Sequence, residues 1–255
     1  MVQFNARLGR LRIQADLRAL VAGALLLALL LTLGFWQLSR AAEKSALQAR
    51  WMARSELPAV APDVLLSEPD QSQHADRLLS WRGRFTPGYY LLLDNRIHQG
   101  RVGYHVIALA SAGDLLVPVN LGWIAGDPAR RTVPEPVVAS GEIDIKGRVY
   151  VPTAPTLMLV EQVAPETLPA LVQTLYWEDW QRRLSALAEA PLFPYEVRID
   201  PVSPLAFSAE WPVVNQSNAT HIGYALQWFA MALVLLIIAV VRITNVTELL
   251  RARRK

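Results

Sequence analysis

Two long apolar runs interrupt the otherwise mixed pattern of polar and apolar positions along the chain. The first, Ala19 to Leu38, reads ALVAGALLLALLLTLGFWQL, and the second, Ile222 to Val241, reads IGYALQWFAMALVLLIIAVV; neither contains a charged residue. At 1.5 Å of rise per residue, about 20 helical residues cross the ~30 Å hydrocarbon layer, so both runs are expected to be transmembrane helices. A cleaved signal peptide is the competing reading of the first. Its apolar core exceeds the ~7–15 residues of such peptides, and no clean A-x-A-like cleavage site follows it, Ser39-Arg40-Ala41 being the nearest candidate.

Between the runs the pattern changes twice. Gln37 to Leu57 is rich in Ala, Leu, Arg, Glu and Gln with no Gly or Pro before Pro58, which predicts that the first helix continues as a charged stalk. Residues 58–76 contain Pro and acidic residues and read as a connecting loop. From Arg77 onward short runs rich in Val, Leu, Tyr and Trp predict strands: LLSWRGRF, YYLLLDNR, GYHVIALA and DLLVPVNLGWI. They are separated by Pro87-Gly88, Gly100 and Gly113-Asp114. Gly141 to Val151 alternates cleanly, and Pro194 to Pro201 is a further short strand. Thr167 to Ala190, with Leu171, Leu175, Leu184 and Leu187 at helical spacings and Pro169 near its start, predicts one soluble helix. The expectation is a mainly antiparallel β domain, barrel- or sandwich-like, with one packed helix and a transmembrane helix on either side.

Charge orients this layout. No Lys or Arg lies between Arg198 and the second run, whereas Arg242, Arg251, Arg253, Arg254 and Lys255 follow it. Basic residues stay on the cytoplasmic side, so residues 242–255 are expected inside. Around the first run Arg7, Arg10, Arg12 and Arg18 face Arg40, Lys44, Arg50 and Arg54, close to a tie. Two spans put both ends on one side, so residues 1–18 are also expected to be cytoplasmic and residues 39–221 extracytoplasmic. Residues 1–18 carry +3 and residues 242–255 carry +4, leaving −4 of the total +3 for the outer domain. The high pI is therefore a topology signature suited to anionic inner-leaflet lipids, and no nucleic-acid partner is expected.

Cysteine is absent, which excludes disulfides, thiol copper relay and thiol redox chemistry. There is no Gly-rich phosphate loop, H-E-x-x-H, G-x-S-x-G or EF-hand spacing. His74, His98, His105 and His221 are too far apart in sequence to form a local metal motif, and His98 and His105 read as ordinary surface or core histidines. Asp94-Asn95-Arg96 and Arg130-Arg131 read as a turn and a solvated basic pair. The tripeptides at Asn215, Asn218 and Asn245 carry no weight as glycosylation signals. No catalytic residue is assigned.

The informative residues lie at the outer edges of the two runs, in LGFWQLSR (Leu33–Arg40) and NATHIGYALQWF (Asn218–Phe229). His221, Tyr224 and Trp228 fall at i, i+3 and i+7 on one helix face, with Gln227 near it. Three readings stand together. The imidazole ligates a haem iron with the rings against the porphyrin; the residues form an interfacial aromatic belt; or Gln37, His221 and Gln227 hydrogen-bond the two spans to each other.

These edge motifs, with RGRF (Arg82–Phe85), YLLLDNR (Tyr90–Arg96), GRVGYHVI (Gly100–Ile107) and VNLGWI (Val119–Ile124) between them, resemble the surfeit locus protein one family of cytochrome c oxidase assembly factors. The resemblance covers nearly the entire chain in the family's order. It implies a non-enzymatic role, chaperone-like, in biogenesis of the haem a-containing oxidase core subunit. It also implies haem a as a transiently held cofactor, with His221 as iron ligand and Tyr224 and Trp228 as cofactor contacts. Trp36, Gln37, Arg40, Gly83 and Gln227 are further motif positions, Gly83 with a structural role in its strand. The N-terminal stretch is neither Ser-rich nor acid-free, so a bacterial inner membrane is the expected location. The implied partners are the oxidase core subunit, haem A synthase, other assembly factors and the bilayer. The alternative is a haem-independent scaffold that stabilises the nascent core subunit. A sensory or transport-associated role is disfavoured because the cytoplasmic parts are too short for a signalling domain.

Overall fold

The structure, a computed structural model, describes residues 3–8, 11–152, 166–174, 177–213 and 218–246. It divides into two compact units, Met1–Ala49 with Val213–Lys255, and Arg50–Pro212.

The first unit contains two short strands, β1 (Gln3–Leu8) and β2 (Leu11–Asp16), paired antiparallel. It also holds most of the long helix α1 (Leu17–Ser55) and all of α4 (Asn218–Ile243). The hairpin was not expected, since residues 1–18 read only as a basic segment. Both helices overrun their apolar runs. At 39 residues α1 is about 58 Å long, twice the hydrocarbon thickness, and its second half is the charged stalk read from Gln37 to Leu57. Only 11 % of the apolar window in either helix is buried. A soluble protein does not leave surfaces of that kind in water, so two-span membrane insertion is the setting they fit. Beyond α4, the Asn245 side chain accepts from the Arg12 backbone N–H at 2.8 Å, tying the hairpin to the end of that helix.

The second unit is built on one seven-stranded sheet. Its strands are β3 (Leu78–Gly83), β4 (Phe85–His98), β5 (Arg101–Ala112), β6 (Leu115–Ala125), β7 (Ile143–Tyr150), β8 (Ala170–Val172) and β9 (Glu196–Ile199), in the order β3-β7-β9-β6-β5-β4-β8. Two short helices accompany it, α2 (Pro62–Leu66) and α3 (Trp177–Ala188). Most pairings are antiparallel, but β4–β8 and β6–β9 are parallel. The sheet curls back on itself, as a barrel-like domain requires. At the end of β3 the backbone of Arg84 exchanges hydrogen bonds with Ser111 at the end of β5, and the Trp81 indole donates to the Ser111 carbonyl at 3.0 Å. Gly83 sits in this crossing. A Cβ there would collide with the Ser111 carbonyl oxygen, so the backbones approach too closely for a side chain.

Curling produces two cores. The inner face packs Leu79, Trp81, Phe85, Val106, Val119, Ile145, Phe193, Val197 and Ile199. The outer face packs Leu91, Leu93, Ile107, Leu109 and Leu116 against Leu184 of α3 and Val172 of β8. Strands buried on both faces lose their alternation, so β5 and β6 read as nearly continuous apolar runs, whereas β7 keeps a clean period of two.

Two expectations are corrected here. Pro87-Gly88 does not separate strands; it lies within β4 as an irregularity in the β4–β5 register between Phe85 and Tyr90. Nor is Thr167 to Ala190 one helix. Helix α3 begins at Trp177, and Ala170–Val172 forms β8, adding to the free edge of β4 beside Leu91–Leu93. The backbone hydrogen bonds offered by that edge override the helix-forming composition. Leu175 lies outside the described residues.

Candidate functional site

In the first unit α1 and α4 meet along Leu30, Gly34, Gln37 and Ala41 on one helix and His221, Ala225, Phe229 and Ala232 on the other. The spacing is that of one helical stripe on each. Half of its residues, Gly34, Ala41, Ala225 and Ala232, are small, as suits helices that associate in lipid through packing and polar contacts. Gly34 makes room for a ring from the other helix: a Cβ there would lie 2.5 Å from the Phe229 ring. Phe35 adds an edge-on contact to Phe229, with centroids 5.2 Å apart.

Two polar links close the stripe. The Asn218 amide donates to the Ser45 hydroxyl at 2.9 Å. His221 Nδ1 lies 2.8 Å from Gln37 Oε1. The Gln37 oxygen can only accept, so Nδ1 carries the proton, and the neutral form of the ring then has its lone pair on Nε2. That nitrogen makes no hydrogen bond among the described residues.

The sequence-selected residues therefore separate. Gln37 and His221 are brought together. Tyr224 is 50 % exposed and Trp228 is half-buried, both on α4 flanking the helix contact. Gln227 is exposed and makes no hydrogen bond among the described residues, so it does not join the two helices. Arg40 pairs with Glu43 at 2.7 Å and lies 5.8 Å from the Trp36 ring, an exposed ladder on α1. Gly83 belongs to the other unit. The site thus offers an imidazole with one hydrogen-bonded and one open nitrogen on the same helix as exposed Tyr224 and half-buried Trp228.

The second unit holds a polar cluster that sequence reading missed. Asn120 on β6, 1 % exposed, donates to Glu196 on β9 at 2.8 Å and lies 3.3 Å from His105 Nδ1 on β5. Its carbonyl accepts from the Gly122 N–H at 3.1 Å. Arg198 approaches Glu196 at 3.5 Å and stacks over Tyr150, its guanidinium carbon 3.4 Å from the ring centroid. The His105 ring meets Trp211 edge-on. Burial, reinforced by the positive charges of Arg96 and Arg198 and by His98, pushes the His105 pKa down to about 4. Arg96 supports the Trp123 indole through its backbone carbonyl, and Arg130 reaches both Asp94 and Asn95. Thus Asp94, Asn95 and Arg130 form one cross-loop contact, while Arg131 stays solvated. The available signal was Asn120, a lone amide inside the apolar run VPVNLGWI; its partners on β5 and β9 are remote in sequence.

Two apolar helices long enough to span a bilayer, with a curled β domain between them in sequence, fit a two-span membrane protein. The SURF1 family model matches residues 24–233, most of the chain, and the protein belongs to that family, whose members are associated with cytochrome oxidase assembly rather than with enzymatic activity. No individual curated protein matches the sequence.

Proposed function

We propose that the protein assists delivery of haem a to the core subunit of haem-copper cytochrome c oxidase, holding the haem through His221 at the outer edge of α4. The observation that carries this reading is the Gln37–His221 contact, which occupies Nδ1 and leaves Nε2 as the open nitrogen. His221 would hold haem a, the cargo on this reading, by giving its open nitrogen to the iron. Exposed Tyr224 and half-buried Trp228 supply aromatic faces on the same helix. One imidazole with shallow aromatic contacts suits a carrier that must release what it holds.

The charge distribution supports a bacterial inner membrane location with both termini cytoplasmic and the β domain periplasmic. Partners on this reading are the core subunit, haem A synthase and other assembly factors. The test is the absorption spectrum of the detergent-purified chain co-expressed with haem A synthesis enzymes, beside His221→Ala. Haem a bands in the parent, lost from an equally folded variant, are expected. A haem-free parent that still co-purifies with the core subunit would overturn the carrier and leave a haem-independent scaffold.

A further inference from the structure

We infer that Gln37 is a positioning residue that fixes the tautomer and ring orientation of His221, so that Nε2 is the ligating nitrogen. The inference rests on the reading of His221 as an iron ligand and deepens it. It starts from where Gln37 sits. Along α1 it lies on the stripe with Leu30, Gly34 and Ala41, turned toward α4 and half-buried, and its Oε1 is 2.8 Å from His221 Nδ1.

A neutral imidazole free in solution exchanges its proton between both nitrogens and rotates about its bond to Cβ. With its carbonyl turned to the ring, as here, Gln37 restricts both freedoms, because an amide oxygen accepts only from a protonated Nδ1 and favours one ring angle. Gly34, which makes room for the Phe229 ring, and the small residues Ala41 and Ala225 lie on the same helix stripes as this bond. Hydrogen bonding of the non-ligating N–H to a carbonyl also raises the basicity of the ligating nitrogen, and loss of such a partner typically costs about 10–100-fold in affinity. A bond serving only to join the helices makes no demand on which way the proton points. A positioning bond does.

Haem a is added to the detergent-solubilised full chain, and affinity, midpoint potential and the iron–imidazole stretching frequency of the reduced form are recorded for parent, Gln37→Glu, Gln37→Leu and His221→Ala. A carboxylate at 37 strengthens the Nδ1–H bond, so Gln37→Glu is expected to raise the frequency and lower the potential. Gln37→Leu is expected to shift both the opposite way and to weaken binding about 10–100-fold. Opposed shifts are a signature that a helix-joining role would not produce. If Gln37→Glu keeps the parent's frequency and potential, the positioning role is overturned, whether or not Gln37→Leu folds. Retention of parent haem bands by His221→Ala would instead remove the ligand reading itself, and the two failures are thereby distinct.

Discussion

His221 in the helix pair and His105 in the sheet are both half-buried imidazoles beside a carboxamide, yet their settings are opposite. At His221 the amide oxygen of Gln37 faces Nδ1, so the proton is on Nδ1 and Nε2 is open. At His105 the amide nitrogen of Asn120 faces Nδ1. The orientation of Asn120 is set by its other bonds, donation to Glu196 and acceptance from Gly122, so Nδ1 of His105 accepts and its proton is on Nε2. His105 then meets the edge of Trp211 and sits among Arg96, Arg198 and His98. Each ring is held at Nδ1 and makes no hydrogen bond at Nε2 among the described residues; at His105 that nitrogen carries the proton, whereas at His221 in its neutral form it carries the lone pair. Burial and hydrogen bonding alone do not distinguish a structural histidine from a ligand. The position of the free lone pair does.

The difference is sharpest if the enclosed network is broken. Glu196 accepts from Asn120 and pairs with Arg198 at a position almost closed to solvent. Glu196→Ala leaves a buried donor and a guanidinium without their acceptor, and a loss of about 3 kcal/mol in unfolding free energy is expected. Denaturant unfolding of the full chain, followed by the β-domain Trp fluorescence, measures it. A loss below about 1 kcal/mol would mean that the network is not structural.

The second expected effect is on pH. The folded His105 takes its proton only near pH 4, whereas in the unfolded chain the group titrates near 6.5. Stability from the neutral ring is therefore complete above pH 6.5 and declines as pH falls from there to about 4, by up to about 3 kcal/mol. His105→Gln is expected to flatten that part of the stability profile. An unchanged slope in the variant would assign it to other groups.

A smaller effect belongs to the helix pair. Gly34→Ala places a Cβ against the Phe229 ring, and a loss of about 1–2 kcal/mol in helix association is expected, as for overpacking elsewhere. Combining it with Phe229→Leu is expected to recover part of that loss, read by thermal unfolding in detergent. Additive losses in the double variant would contradict the contact.

The legible parts of this molecule are those encoded by local periodicity. Uninterrupted apolar runs revealed α1 and α4, and short Val-, Leu- and Tyr-rich segments revealed β3 to β7 and β9. The clean alternation over Gly141–Val151 even showed which strand has one solvated face. Strand β8 escaped because three residues carry no period, and helix formers surround them; the edge of β4, not composition, makes them a strand. His221, Tyr224 and Trp228 were legible as one face of a helix. Gln37 was legible as an interhelical candidate, but its bond to His221 spans 184 positions and has no local signal. The Asn120 network was illegible for the same reason, with partners 15 and 76 positions away.

The central claim is that the open nitrogen of His221, and not the enclosed ring of His105, takes the iron. Titration of haem a into three detergent-solubilised full chains, the parent, His221→Ala and His105→Gln, tests it most directly. The account predicts saturable binding with the parent's spectrum in His105→Gln and no axial-histidine spectrum in His221→Ala. Binding that survives in His221→Ala and disappears in a folded His105→Gln would contradict it.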